Sequence, residues 1–164
     1  MCLRSDHERT AVTVAASIAS VLPQLPTAVL QALREPIYRI RFSTSFVGSL
    51  EPARYSPPVP VLSGLEHDPD LCVDFYAMEP LRPHGAQALD ALREAMTSAL
   101  IGVALKPGEL LLVDNRVAVH GRTGFVPRYD GEDRWLRRCF AVTSLRPSRG
   151  FRYRNSRVCA PVSV

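Results

Sequence analysis

Apolar and polar positions fall into two rhythms along the chain, and each rhythm predicts its own kind of element. From residue 37 to 42, Tyr38, Ile40 and Phe42 alternate with Arg39 and Arg41, the period of a strand with one buried face. Across residues 85–103, Leu89, Leu92, Met96 and Leu100 recur at helical spacing and predict the one long amphipathic helix. Residues 10–16 are rich in Val and Thr, which suits a short strand. Ser17 is placed to cap a short helix reaching Leu22, and Thr27 to cap another over 28–34, where Val29, Leu30 and Leu33 share a face before Pro36 stops it. Residues 58–62 predict an edge strand, 63–69 a turn and 71–76 a further strand, after a proline-rich loop over 51–60. Lys106-Pro107-Gly108 predicts a turn. An apolar run over 110–113 then ends in the polar turn Asp114-Asn115-Arg116, and a second run, Val117-Ala118-Val119, delivers His120 and Gly121 at the end of a buried strand. After a loop over 125–130, residues 135–144 predict the last strand, and the arginine-rich tail from Pro147 is irregular. Several strands, many turns and one main flanking helix predict a β-rich α+β fold.

Composition narrows the function classes. The 164 residues suffice for a single domain, 1–164, with a real core, and are too few for two comfortable ones. Fourteen prolines argue for turns rather than a helical bundle. The net charge of +4 is modest, but eleven arginines from Arg116 onward, against three acids, make the last third basic. No zinc-finger spacing, ribonucleoprotein motif or aromatic ladder accompanies that charge, so no nucleic-acid partner is expected. The four cysteines, widely spread and without a CxxC pair, read as free and mostly buried thiols. Residues 11–22 imitate a signal peptide, yet Asp6 and Glu8 spoil the basic flank, and Pro23 and Pro26 interrupt a span that would need about 20 apolar residues. The expectation is a cytoplasmic protein with no membrane partner. Neither a glycine-rich phosphate loop nor a GxSxG elbow occurs.

The candidate chemistry centres on His120. A lone histidine on an apolar strand is either a satisfied core residue or a metal ligand, and spacing alone leaves both open. Arg134 and Arg138 follow on the next predicted strand, where i, i+4 spacing puts them on one side. A guanidinium fork pairs bidentately with a carboxylate, as a 2-oxoacid cosubstrate would require; an exposed basic strand face is the alternative. A non-haem iron site of the oxygenase type needs two histidines and a carboxylate on one face.

The run from Pro107 through Asp114-Asn115-Arg116 and His120-Gly121-Arg122-Thr123, with Pro127-Arg128-Tyr129-Asp130-Gly131 and Asp133-Arg134-Trp135-Leu136-Arg137-Arg138, resembles the C-terminal core of the clavaminate synthase-like enzymes. These are iron(II)- and 2-oxoglutarate-dependent oxygenases related to taurine dioxygenase. The segments from Cys2 to Ala11 and Val73-Asp74-Phe75 are similar to that family too, so the resemblance covers nearly the whole chain. It implies a partial double-stranded β-helix (jelly roll), Fe(II) as metal and 2-oxoglutarate as cosubstrate. The substrate it implies is an amino acid or a derivative, hydroxylated with release of succinate and carbon dioxide. His120 matches the distal iron-ligating histidine, and Arg134 the residue pairing with the far carboxylate of 2-oxoglutarate. Thr13 matches the threonine that hydrogen-bonds the cosubstrate. Arg138 matches an arginine approaching the substrate carboxylate, and Asp74 an acid meeting the substrate's polar or cationic end. The family's His-x-Glu pair has no counterpart here: His7 precedes Glu8-Arg9, His67 precedes Asp68-Pro69, and His84 precedes Gly85-Ala86. Adjacent His7 and Glu8 on a strand would point to opposite faces. By the resemblance the pair belongs ahead of Met1, so the expectation is the C-terminal half of such an enzyme, with one iron ligand of three. Such a half is expected to be weakly active or inactive, or a non-catalytic binding module, and to self-associate through uncovered strand edges.

Overall fold

A computed structural model describes residues 1–42, 55–146 and 148–153. The proline-rich loop lies outside them at 51–54, and the tail at 147 and from 154 onward. Because the apolar runs are short and broken by proline and glycine, the strands are short as well. The described residues form nine, paired antiparallel in four small sheets. β1 (Cys2–Arg4) pairs with β9 (Trp135–Leu136). β2 (Thr13–Ser17) lies between β7 (Ile101–Val103) and β8 (Ala118–Arg122). β3 (Tyr38–Ile40) pairs with β6 (Met78–Pro80), and β4 (Leu62–Gly64) with β5 (Pro69–Leu71).

The helices sit where the sequence placed them, with shifted ends. α1 (Ile18–Val21) begins at Ser17, whose hydroxyl accepts the Ala19 N–H at 3.3 Å. α2 (Thr27–Arg34) starts one residue earlier than expected: Pro26 is its cap, and Thr27 lies inside the helix without a capping bond. α3 (Pro83–Ser98) carries Pro83 at its first position, where the missing N–H costs nothing. It buries Gly85, Ala88, Leu89, Leu92 and Met96 on one stripe. Gly85 packs closely there, and a Cβ, at 2.9 Å from Ile37 Cδ1, would make the end of that side chain shift.

The predicted helix runs too far. Beyond Ser98 the sequence Ile101-Gly102-Val103 is β-branched around a glycine, and it joins β2 as a strand. A Cβ on Gly102 would meet Val12 Cγ1 at 2.6 Å, so the close approach of β7 depends on that glycine. Two predicted strands also moved. The expected turn over 63–69 is tighter, letting β4 and β5 form a hairpin, and the expected strand over 71–76 ends at Leu71 and becomes a turn at Asp74. Residues 110–113 pair with no strand among the described residues, and the last strand stops at Leu136.

The core gathers α2, α3 and β3–β5. Leu33, Tyr38, Val61 and Leu92 are each fully buried there. Tyr38 donates to the Ala32 carbonyl at 3.2 Å, and burial, with the Glu35 carboxylate, pushes its pKa up to about 12, so it remains a donor. Cys2 is buried, but Cys72 and Cys139 are exposed, against the expectation of mostly buried thiols. No described helix is long and apolar enough to cross a membrane.

Candidate functional site: one open face of the β7-β2-β8 sheet

Strand register builds this site. Residues directly opposite one another on neighbouring strands put their side chains on the same face. Thr13 is opposite Val103 on one side and Arg122 on the other, and Ala15 is opposite Ile101 and His120. One face of the sheet therefore carries Thr13, His120, Arg122, Ile101 and Val103. The other carries Val119, which packs against the core, with Ala16. His120 and Thr13 are diagonal neighbours across β8 and β2, a relation that sets the residues about 7–8 Å apart and their Cβ atoms somewhat closer.

Arg134 reaches this face from just before β9. Its Nη2 donates to the Thr13 hydroxyl at 3.1 Å, across 121 positions of chain. The guanidinium is half-buried, and no carboxylate among the described residues forms an ion pair with it. A cation held by a neutral hydroxyl, with no acid spent on it, retains its capacity for an anionic ligand.

His120 is exposed, contrary to the buried position expected of it, because β8 is an edge strand whose only strand partner among the described residues is β2. Neither a hydrogen bond nor an ion pair joins its ring to another described residue, so the satisfied-core alternative does not hold. Beside it lies a cleft of about 600 Å³, lined by Ala118, His120, Asn115, Phe75, Tyr76 and Asp74 among others. Asp74 sits in a turn rather than on a strand, and its Oδ1 accepts the Tyr76 and Ala77 N–H groups at 2.9 and 3.1 Å. The cleft thus brings Asp74 and His120 together, while Arg138 stands outside its lining. Arg138 follows β9 and is exposed, with its guanidinium 5.1 Å from the Phe140 ring centroid. Since β9 ends at Leu136, Arg134 and Arg138 share no strand.

Two residues of the site, one on the face and one beside the cleft, are missed by the sequence pattern. Arg122 is legible once β8 is known to run on past Gly121, because it stands two positions after His120 and so shares its face. Asn115 was seen only as part of a polar turn, and nothing in the sequence says that the turn borders a cleft.

A three-ligand metal centre needs three donor atoms converging on one point. Among the described residues, no set of three histidine, cysteine or carboxylate ligand atoms converges at His120; the one convergent set is His7, Asp130 and Asp133. His120 alone does not fit such a centre.

The fold and this face define a β-sheet protein whose charged and polar site residues gather on one open side of a small antiparallel sheet. Residues 12–140 match the Taurine catabolism dioxygenase TauD, TfdA family, and the chain belongs to that family. It is 45% identical over 152 residues to the L-asparagine oxygenase of Streptomyces coelicolor, a match covering 93% of this chain and 45% of that protein. Clavaminate synthase 2 of Streptomyces clavuligerus is 34% identical over 142 residues, covering 87% of this chain and 44% of that one. The crystal structure of an asparagine oxygenase in complex with Fe(II), 2S,3S-3-hydroxyasparagine and succinate superposes with a TM-score of 0.91 at 43% identity, over 98% of this chain and 49% of that chain. The chain spans about half the length of the curated relatives it matches.

Proposed function

We propose that this chain carries the cosubstrate-clamping, single-histidine part of an iron(II)- and 2-oxoglutarate-dependent oxygenase acting on an amino acid or amino-acid-derived substrate. The short antiparallel sheets are read as part of a double-stranded β-helix. The observation that carries the reading is the Arg134–Thr13 hydrogen bond on the face that presents His120. In this reading Arg134 and Thr13 take the outer carboxylate of 2-oxoglutarate: the guanidinium supplies a charge-assisted fork and the hydroxyl a second donor. His120 serves as one iron ligand. Asp74 receives the polar or cationic end of the substrate within the cleft, whereas the substrate-carboxylate role of Arg138, which stands outside the cleft lining, rests on the family resemblance alone. When a complete centre holds iron, the metal supplies the oxidation chemistry, and the protein orients the substrate and excludes water. His120 is the one such ligand that the described residues provide at this face.

The direct test is calorimetric titration of the chain with 2-oxoglutarate and with succinate. Binding that Arg134→Ala weakens supports the clamp, and binding that the substitution leaves unchanged removes it. With Fe(II) and 2-oxoglutarate added, little or no succinate is expected to form. Robust turnover abolished by His120→Ala would overturn the argument from a single ligand. A non-catalytic binding module of the same fold is the second reading, favoured by the exposure of His120 on an open edge. It predicts weak or no stoichiometric iron binding by calorimetry.

A further inference from the structure

A cluster of charges outside this face remains to be explained. His7 lies in a turn, with Nε2 3.2 Å from Asp130 Oδ2 and 3.7 Å from Asp133 Oδ1. Asp133 is the chain neighbour of Arg134. Its two oxygens accept the N–H groups of Arg128 and Tyr129 at 2.8 and 2.7 Å, which closes the loop leading to Arg134. Asp130 accepts the Glu132 N–H at 2.9 Å. The loop takes two left-handed backbone conformations, at Tyr129 (φ 55°) and Gly131 (φ 86°); the first is strained for an aromatic residue and needs support from its surroundings. Support comes from the N-terminal segment: Arg4 binds the Gly131 carbonyl and pairs with Glu132 at 2.7 Å, and β1 pairs with β9 just past Arg134.

We propose that His7 is a positioning residue for the Arg134–Thr13 clamp: its imidazolium, seated between Asp130 and Asp133, latches the 128–134 loop to the N-terminal segment and holds Arg134 against Thr13. The proposal rests on the clamp reading given above. Protonated, the ring attracts both carboxylates and offsets their mutual repulsion. Neutral, it donates at most one hydrogen bond through Nε2 and leaves the two acids unscreened. Histidine is the side chain that makes this change between pH 5 and 8. The Asp130 carboxyl is held below its usual range by the Glu132 N–H, against the opposing effect of burial, with the His7 charge contributing, so it is an anion throughout that window. The other charged groups facing the cluster are Arg4, Glu132 and Arg128, the last 3.9 Å from Glu8. The α-amino group of Met1 donates to the Arg137 carbonyl at 2.9 Å, close to β9. It is common to wild type and variants, so a difference between them reads His7.

The test needs no bound ligand. Hydrogen-exchange protection factors of the Arg128 and Tyr129 amides, and the fluorescence of Trp135, the single tryptophan, are followed from pH 5 to 8. In wild type, protection is expected to fall severalfold across the window, together with the nuclear Overhauser contact between Arg134 and the Thr13 methyl. His7→Gln is expected to flatten the profile at the unprotected level, and His7→Lys, a fixed cation, at the protected level. Superimposable profiles for wild type and His7→Gln would overturn the latch. If His7→Gln fails to fold, Asp130→Asn replaces it, and a wild-type profile in that variant overturns the latch equally. Succinate titration separates the two ideas. Unchanged affinity in Arg134→Ala removes the clamp. Weakened affinity in Arg134→Ala, alongside unchanged His7 profiles, removes the latch alone.

Discussion

Leu92 on α3 is completely buried, whereas Leu112, further along the same chain, is 84% exposed. The contrast extends to whole regions. Around α2, α3 and β3–β5, apolar side chains from elements distant in sequence close on one another, and Leu33, Tyr38 and Val61 reach zero exposure. Around β7 and the 110–113 segment, Ile101, Val103, Leu110 and Leu112 are exposed, and β7 and β8 each leave an edge without a strand partner among the described residues. The first region derives its stability from its own contacts. The second presents the site residues on a face where His120, Arg122, Ile101 and Val103 stay exposed.

Substitutions that test this contrast rank by how deeply they cut into the packed region. Leu92→Ala is expected to cost about 2–5 kcal/mol, read by urea denaturation, because a cavity opens where no neighbour can collapse fully. A cost under about 1 kcal/mol would mean that the packed region is looser than its burial implies. Asp6→Asn comes next. Asp6 is buried, and burial opposes its charge, but the N–H groups of Thr10 and Ala11, at 2.8 and 3.1 Å, with the Thr10 hydroxyl, outweigh that and hold its carboxyl below the ordinary value of 3.8. The stabilisation is therefore full well above that value and fades as pH falls through the lower folded value. Asn is expected to cost about 1–3 kcal/mol near neutrality and to lessen the loss of stability on acidification. Denaturation midpoints from neutral to acid pH check both.

Arg134→Ala is expected to leave stability within about 1 kcal/mol while weakening succinate binding by about 1.5–3 kcal/mol, the worth of a hydrogen bond to a charged group. A large stability loss with intact binding would assign Arg134 to the scaffold instead. Smallest of all, Ile101→Thr is expected to change stability by no more than about 0.5 kcal/mol, because the side chain is 75% exposed. Its effect should appear in sedimentation, as a lower tendency to self-associate. A loss of stability comparable to that of Leu92→Ala would place Ile101 in a core.

The stripe of Leu89, Leu92 and Met96, and the alternation around Tyr38, Ile40 and Phe42, were legible because a helix and a half-buried strand impose periods on their own residues. Leu100 fitted the same stripe but left the helix, since the β-branched residues after it found a partner in β2. The family resemblance singles out His120, Arg134 and Thr13, and the membership itself is shown over residues 12–140. Their arrangement was not legible. The predicted common strand for Arg134 and Arg138 failed because β9 is held by pairing with β1, which local pattern does not reveal.

By itself, then, the sequence determined the helices up to their ends, the strands around Thr13, Tyr38 and Val119, the family and the residue types available for chemistry, all of which depend on local spacing or on runs of identity. Tertiary structure alone decided that Thr13, His120 and Arg122 share one face, that Arg134 bonds Thr13 across 121 positions, and that His7 sits between Asp130 and Asp133. Those relations come from strand register and loop closure. Both are set by which distant surfaces pack together, a choice that no local window of the chain contains.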